Sequence, residues 1–164
     1  MALVVSDNSP LNLLIQLRLA DLIPSMFGQL IIPSEVATEM MAPSTPADVR
    51  KFIGSPPCWL SIQDPNILLT ISRLDAGELA AISLAIELQA TLFIDELRGR
   101  QEARSRGVSV LGLIGILEQA ANRGLVNDLA AVHARIRPLG FHISDKILDA
   151  SLARHLSYRT AKPP

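Results

Sequence analysis

Cys58 has no second cysteine to pair with, so no disulfide can form within this chain. Flanked by Pro57 and Trp59, it reads as a small buried hydrophobe rather than a nucleophile. Aromatic residues amount to 4%, too few for a platform on which successive bases stack. No apolar run approaches the roughly 18 residues that a membrane span needs. A glycine-rich G-x-x-x-x-G-K-[ST] phosphate loop is missing as well. The first residues show neither a basic n-region nor a cleavage-like site, so no secretory signal is expected. With the lone cysteine, this makes the reducing cytoplasm the expected compartment. Fifteen basic residues face sixteen acidic ones, and the net charge of −1 supplies no global attraction for polyanions. A few arginines on one face can still dominate the local field. Lysine is scarce (Lys51, Lys146 and Lys162). The arginine excess suits two-pronged recognition of phosphate, or reflects base composition alone.

What is present is a core. Apolar residues make up 49% of the chain and charged residues 19%, a balance that folds rather than staying disordered. The length is that of one domain, drawn at 1–157 with a flexible tail over 158–164. The run "LVVS" reads as a strand covered on both faces. Ser9 then caps a helix, "LNLLIQLRL", with Pro10 at its first position. "QLIIP" gives a second strand, and Pro33 opens the helix "PSEVATEMM", which stops before Pro43. Pro43, Pro46, Pro56, Pro57 and Pro65 punctuate a connection holding a short helix over 47–53 and a strand in "WLSIQ". The strongest helix signal is "LDAGELAAISLAIELQA", rich in alanine and leucine. "TLFID" is a strand ending, like the first, in an aspartate. "ELRGRQEARSRG" is a charged helix closed by Gly107, and "VSVLG" a further strand. Helices in "LIGILEQAANRG", "VNDLAAVHARIRPLG" and "DKILDASLARHL" follow. Strands alternating with helices predict an α/β fold: three layers, α/β/α, around a mainly parallel sheet.

In such sheets, sites form beyond the carboxyl ends of the strands. Asp7 and Asp95 both occupy that position. Two carboxylates on adjacent strand ends repel each other unless a cation neutralises them, and a hard divalent ion, Mg²⁺ or Mn²⁺, suits oxygen donors. Glu78, in the first turn of its helix, and Glu39, in the second turn after Pro33, are candidates for the same crevice. Glu35 sits one turn before Glu39. Each acid also has an ordinary reading: a strand-end aspartate is often a helix cap, and a first-turn glutamate often serves the helix dipole.

"VVSDNSPL", "LIIPSEVATEM", "LDAGELAAISLA" and "TLFIDELRGRQEARSRGV", in this order, resemble the PIN-domain family of metal-dependent ribonucleases, and more narrowly a VapC-like prokaryotic branch. The resemblance covers most of the chain. It implies a metal-binding aspartate at Asp7, a second acid at Glu39, a third at Glu78 and a fourth at Asp95. Asp75, three residues before Glu78, competes for the third place. Ser9 is implied to orient Asp7 through its hydroxyl. The implied activity is endoribonuclease cleavage with Mg²⁺ or Mn²⁺, as the toxin of a toxin–antitoxin pair, with RNA as substrate, an antitoxin protein as partner and a homodimer as assembly.

An acidic cleft repels phosphates, so basic groups are expected around it. Arg98, Arg100 and Arg104 follow Asp95, and Arg100 and Arg104 share a helix face. The competing account makes them a solvated face paired with Glu96 and Glu102. A haloacid-dehalogenase-type phosphatase is excluded, because Ser9 stands where its second aspartate belongs and no lysine lies between Lys51 and Lys146. The rival from another class is a PIN-like protein that keeps its carboxylates but acts by binding protein partners. Amphipathic helices such as "ILDASLARHL" would suit such an interface.

Overall fold

The computed structural model describes residues 3–161. Its strands are β1 (Leu3–Ser6), β2 (Gln29–Ile32), β3 (Leu60–Ile62), β4 (Thr91–Phe93) and β5 (Val110–Leu111). They form one parallel sheet in the order β3-β2-β1-β4-β5. The helices are α1 (Asn8–Gln16), α2 (Leu22–Met26), α3 (Ser34–Met40), α4 (Ala47–Gly54), α5 (Ala76–Glu87), α6 (Leu97–Ser105), α7 (Leu113–Asn122), α8 (Leu129–Ile136) and α9 (Asp145–Ala161). This is the expected three-layer α/β/α architecture.

The apolar runs explain the strand order. Val4 and Val5 are fully buried, as the centre of a covered sheet requires. From β1 the chain moves outward through β2 to β3, then crosses back to β4 on the other side and on to β5. The direction therefore reverses between β1 and β4, and a crevice opens beyond their carboxyl ends. Helix α5 packs against β1, β4, α3 and α6. Its Ala80, Ala81 and Ala85 are small enough to let it lie close, while Ile82 and Leu84 fill the core. Each such fully buried aliphatic side chain is worth roughly 1.5–3 kcal/mol.

Four local expectations are corrected. Asp7, not Ser9, is the N-cap of α1, which puts Pro10 third in the helix; first-turn amides lack intrahelical partners, so proline is tolerated there too. Helix α1 ends at Gln16 because Arg18 turns the chain at φ 58, and the unforeseen α2 follows with Pro24 in its first turn. Helix α9 runs to Ala161, since no glycine or proline interrupts "SYRTA"; residues 162–164 of the expected tail lie outside the described residues. Cys58 is exposed rather than buried. Among the described residues no helix is long and apolar enough to cross a membrane.

The chain divides into two compact units, Met1–Gly112, which holds the sheet, and Leu113–Pro164. In the second, α7, α8 and α9 pack on one another around Leu113, Ile116, Leu117, Val132 and Ile136. His133 lies there only 3% exposed, with neither ring nitrogen hydrogen-bonded. Burial holds its pKa below 6.5, with Glu118 pulling the other way. As pH falls through 6.5, the unfolded chain takes up a proton that the folded chain resists, so stability is lost toward acid. His133→Leu is expected to raise the thermal midpoint more at about pH 5.5 than at about pH 8. Equal gains at the two pH values would remove titration as the cause.

Candidate active site

Asp7 follows directly from β1 and is 6% exposed. Its backbone N–H donates to Phe93 O at 2.9 Å, tying the end of β1 to β4. Although Asp7 occupies a cap position, its side chain makes no capping hydrogen bond. The carboxylate is thus available for something else. Burial pushes its pKa up from 3.8 to about 7; the Asn8 N–H offsets part of this, while Asp75, Glu78 and Glu39 add repulsion.

Glu39 reaches the same place from α3. Its pKa is raised by burial first and then by Asp75, with Glu35 adding less; the Asn8 side chain and the Gly77 N–H work against the rise. Gly77 is a matter of space as well as donation. A Cβ there would come within 2.5 Å of Glu39 Oε1 and 2.9 Å of Oε2. The carboxylate therefore rests on the first turn of α5, where free N–H groups and the helix dipole favour negative charge.

Glu78 lies in that same first turn and is 7% exposed. It forms a capping box with Asp75: Glu78 N donates to Asp75 Oδ1 at 2.8 Å, and Asp75 N donates to Glu78 Oε2 at 3.1 Å. The ordinary capping reading is therefore correct for one oxygen. The other, Oε1, faces α6, 3.7 Å from where a Cβ on Gly99 would stand. Burial again raises the pKa, followed by repulsion from Asp75, Glu96 and Glu39. Asp7, Glu39 and Glu78, remote in sequence, share one electrostatic neighbourhood, and Asp75 belongs to it.

Asp95 stands at the neighbouring strand end. A Cβ on Gly112 would lie 2.8 Å from Asp95 Oδ1 and 3.4 Å from Arg100 Nη1, so its carboxylate and the guanidinium of Arg100 both lie against Gly112. Glu96 caps α6, accepting from Gly99 N at 2.9 Å, and Glu102 pairs with Arg106 at 3.5 Å. Neither forms an ion pair with Arg98, Arg100 or Arg104. Arg98 and Arg100 are half-buried with their Nε atoms shielded and not hydrogen-bonded, and Arg104 is exposed. The Ser9 hydroxyl makes no hydrogen bond to Asp7. Asn8 holds that place instead, with Asn12 Nδ2 donating to Asn8 Oδ1 at 3.2 Å and Gln16 Nε2 donating to Asn12 Oδ1 at 2.7 Å. The only sequence signal for Asn8 was its adjacency to Asp7, and for Gly77 its adjacency to Glu78.

Clustered carboxylates with raised pKa values are chemically suited to a hard divalent cation. Among the described residues, however, no three His, Cys, Asp or Glu side chains are disposed to hold an ion as they stand.

A family model described as DUF3368, PIN domain, matches residues 3–156. No curated protein matches in sequence. Among solved structures, a PilT N-terminus domain protein from the archaeon Sulfolobus solfataricus is similar. It has a TM-score of 0.55 and 15% identity, and the match covers 72% of this chain and 92% of that one. At that identity the likeness speaks for the fold.

Two outcomes follow from the geometry. The folded chain keeps the Asp7 proton up to about pH 7, whereas the unfolded chain releases it near 3.8, so stability falls as pH rises across that interval and then levels. The burden is on the order of 4 kcal/mol at most. In chelator, Asp7→Asn should raise the denaturation midpoint at about pH 8 and leave it unchanged near pH 4; an equal effect at both would contradict the raised pKa. Gly77→Ala forces Glu39 off the helix end while improving helix propensity, so the thermal midpoint should hold or rise as Mn²⁺ binding weakens by about tenfold or more. Calorimetry on the two proteins reads this directly.

Proposed function

The chain belongs to the PIN-domain family, and from that membership we propose that it is a metal-dependent endoribonuclease acting through Asp7, Glu39, Glu78 and Asp95, the toxin of a toxin–antitoxin pair. PIN domains are generally nucleases, and the fold here is of that type. The observation that carries the reading is the buried Asp7 carboxylate, free of capping duty and repelled by Glu39, Glu78 and Asp75. The family match spans both compact units, which supports reading 1–157 as one functional domain.

Mg²⁺ or Mn²⁺ held by these acids would supply Lewis acidity and a more acidic water. The chain's own residues do the rest. Asn8 bridges Asp7 and Glu39, fixing two carboxylates with one residue. The capping box fixes Glu78 through Oε2 and leaves Oε1 toward α6. Arg98, Arg100 and Arg104, which form no ion pair among the described residues, would grip substrate phosphates, Arg100 beside Asp95 at Gly112, where a bidentate guanidinium matches phosphate oxygens.

RNA cleavage assayed with and without Mg²⁺ or Mn²⁺ tests the proposal. Activity should require the ion and fall by about two to three orders of magnitude in Asp7→Asn. Arg100→Ala should raise KM about tenfold, the loss expected for one charge-assisted contact. Ion-independent cleavage, or equal cleavage by Asp7→Asn, would refute the enzyme. The rival reading, a PIN-like protein that binds an antitoxin or a second copy without cleaving, draws on the open arrangement of the acids. Heat from Mn²⁺ binding without cleavage of varied RNAs would favour it.

A further inference from the structure

Helix α1 carries a line of amides. Pro10, Leu11, Leu13, Leu14 and Ile15 are buried, while Asn8, Asn12 and Gln16, spaced four apart, lie half-buried along one face. Asn12 Nδ2 donates to Asn8 Oδ1 at 3.2 Å, and Gln16 Nε2 donates to Asn12 Oδ1 at 2.7 Å. Amide pairs at this spacing support a helix. Asparagine is nevertheless a poor helix former, and leucine or alanine at positions 8 and 12 would stabilise α1 more. Helix α1 packs against α3, which carries Glu39, and against α4.

The line has a direction, and Glu39 sets it. An ionised carboxylate only accepts hydrogen bonds, so the Asn8 atom that bonds Glu39 is Nδ2. Asn8 Oδ1 then faces the other way and needs a donor. Asn12 supplies it, which turns Asn12 Oδ1 away to accept from Gln16. Reversing any one amide would set oxygen against oxygen, or N–H against N–H, at the next contact. An unsupported asparagine can turn over, because its oxygen and nitrogen are nearly the same size, and a reversed Asn8 would aim its oxygen at the carboxylate. Asn12 and Gln16 hydrogen-bond to none of the four acids, yet they hold the Asn8 amide with its N–H groups toward Glu39.

We infer that Asn12 and Gln16 are positioning residues for the acidic crevice, acting on Glu39 through the Asn8 amide. The inference rests on the reading of Asp7, Glu39, Glu78 and Asp95 as a divalent-cation site. Asn12 and Gln16 stand about 6 and 12 Å from Asn8 along the helix axis, so their effect on an ion passes through that amide.

Mn²⁺ is titrated into the full chain by calorimetry, and thermal midpoints are measured in chelator. Asn12→Leu removes the donor to Asn8 and puts a better helix former in α1. The midpoint should therefore hold or rise while Mn²⁺ binds about tenfold more weakly, the loss typical of a missing outer partner. Asn12→Gln, which keeps the amide, should recover part of the affinity. Gln16→Leu should weaken binding only about threefold, because Asn12 can still donate. Asn8→Ala breaks the line at its first member, so adding Asn12→Leu to it should cause no further loss. Wild-type affinity in a folded Asn12→Leu protein, or losses that simply add in the double variant, overturns the inference and leaves the cation reading standing. A midpoint that falls together with affinity in Asn12→Leu makes the amide merely structural and also overturns it. Absence of Mn²⁺ heat from the wild type overturns the cation reading, and this inference with it.

Discussion

The cost of taking carboxylates out of water, added to by repulsion among them, is the constraint around which this site is arranged. Asp7 is carried into the crevice because β1 must be buried on both faces, and the residue after a central strand has little room to reach water. Glu39 and Glu78 arrive from α3 and α5; burial raises all three pKa values most, and repulsion adds to it, from Asp75, Glu78 and Glu39 at Asp7, from Asp75 and Glu35 at Glu39, and from Asp75, Glu96 and Glu39 at Glu78. Left without relief, such a cluster opposes folding. The fold supplies partial relief from the start of α5, whose Gly77 and Glu78 N–H groups meet Glu39 and Asp75, and from Asn8 between Asp7 and Glu39. What remains uncompensated is negative charge in a confined space, the condition under which a cation has most to gain by binding.

The ordinary and the functional readings of an acid do not exclude each other here. Glu78 caps its helix with one oxygen and presents the other toward α6. Asp7 stands in a cap position but does not cap. For the arginines the two accounts do diverge, because Glu96 is a helix cap and Glu102 pairs with Arg106. Neither acid forms an ion pair with Arg98, Arg100 or Arg104, which is why the salt-bridged solvated face does not account for them.

Much of the fold was legible in the chain. Continuous apolar runs such as "LVVS" and "QLII" can only be covered strands in a protein of this composition, and their alternation with helical periods dictates a parallel sheet. Strand-end position and first- and second-turn helix placement drew attention to the four acids, and the family resemblance pointed to the same four. Helix ends were read less well: a serine before a proline looks like a cap, but the start of α1 is set by where β1 releases the chain, one residue after Ser6. The length of α2 and the extension of α9 depend on packing that short-range propensity does not encode.

The alternation of strands with helices and the identity of the strand-end acids were set by local pattern, because burial on two faces and helical periodicity are written in consecutive residues; the strand order was not. Tertiary structure alone decided that Gly77 would have to lack a side chain for Glu39 to fit, that Gly112 would lie against both Asp95 and Arg100, and that Asn8 rather than Ser9 would hold the acids. Those contacts join residues 12 to 38 positions apart in the chain. No local propensity specifies which side chain will occupy the space that a distant glycine leaves open, so they come into being only when the crossover from β3 to β4 places α5 against β1.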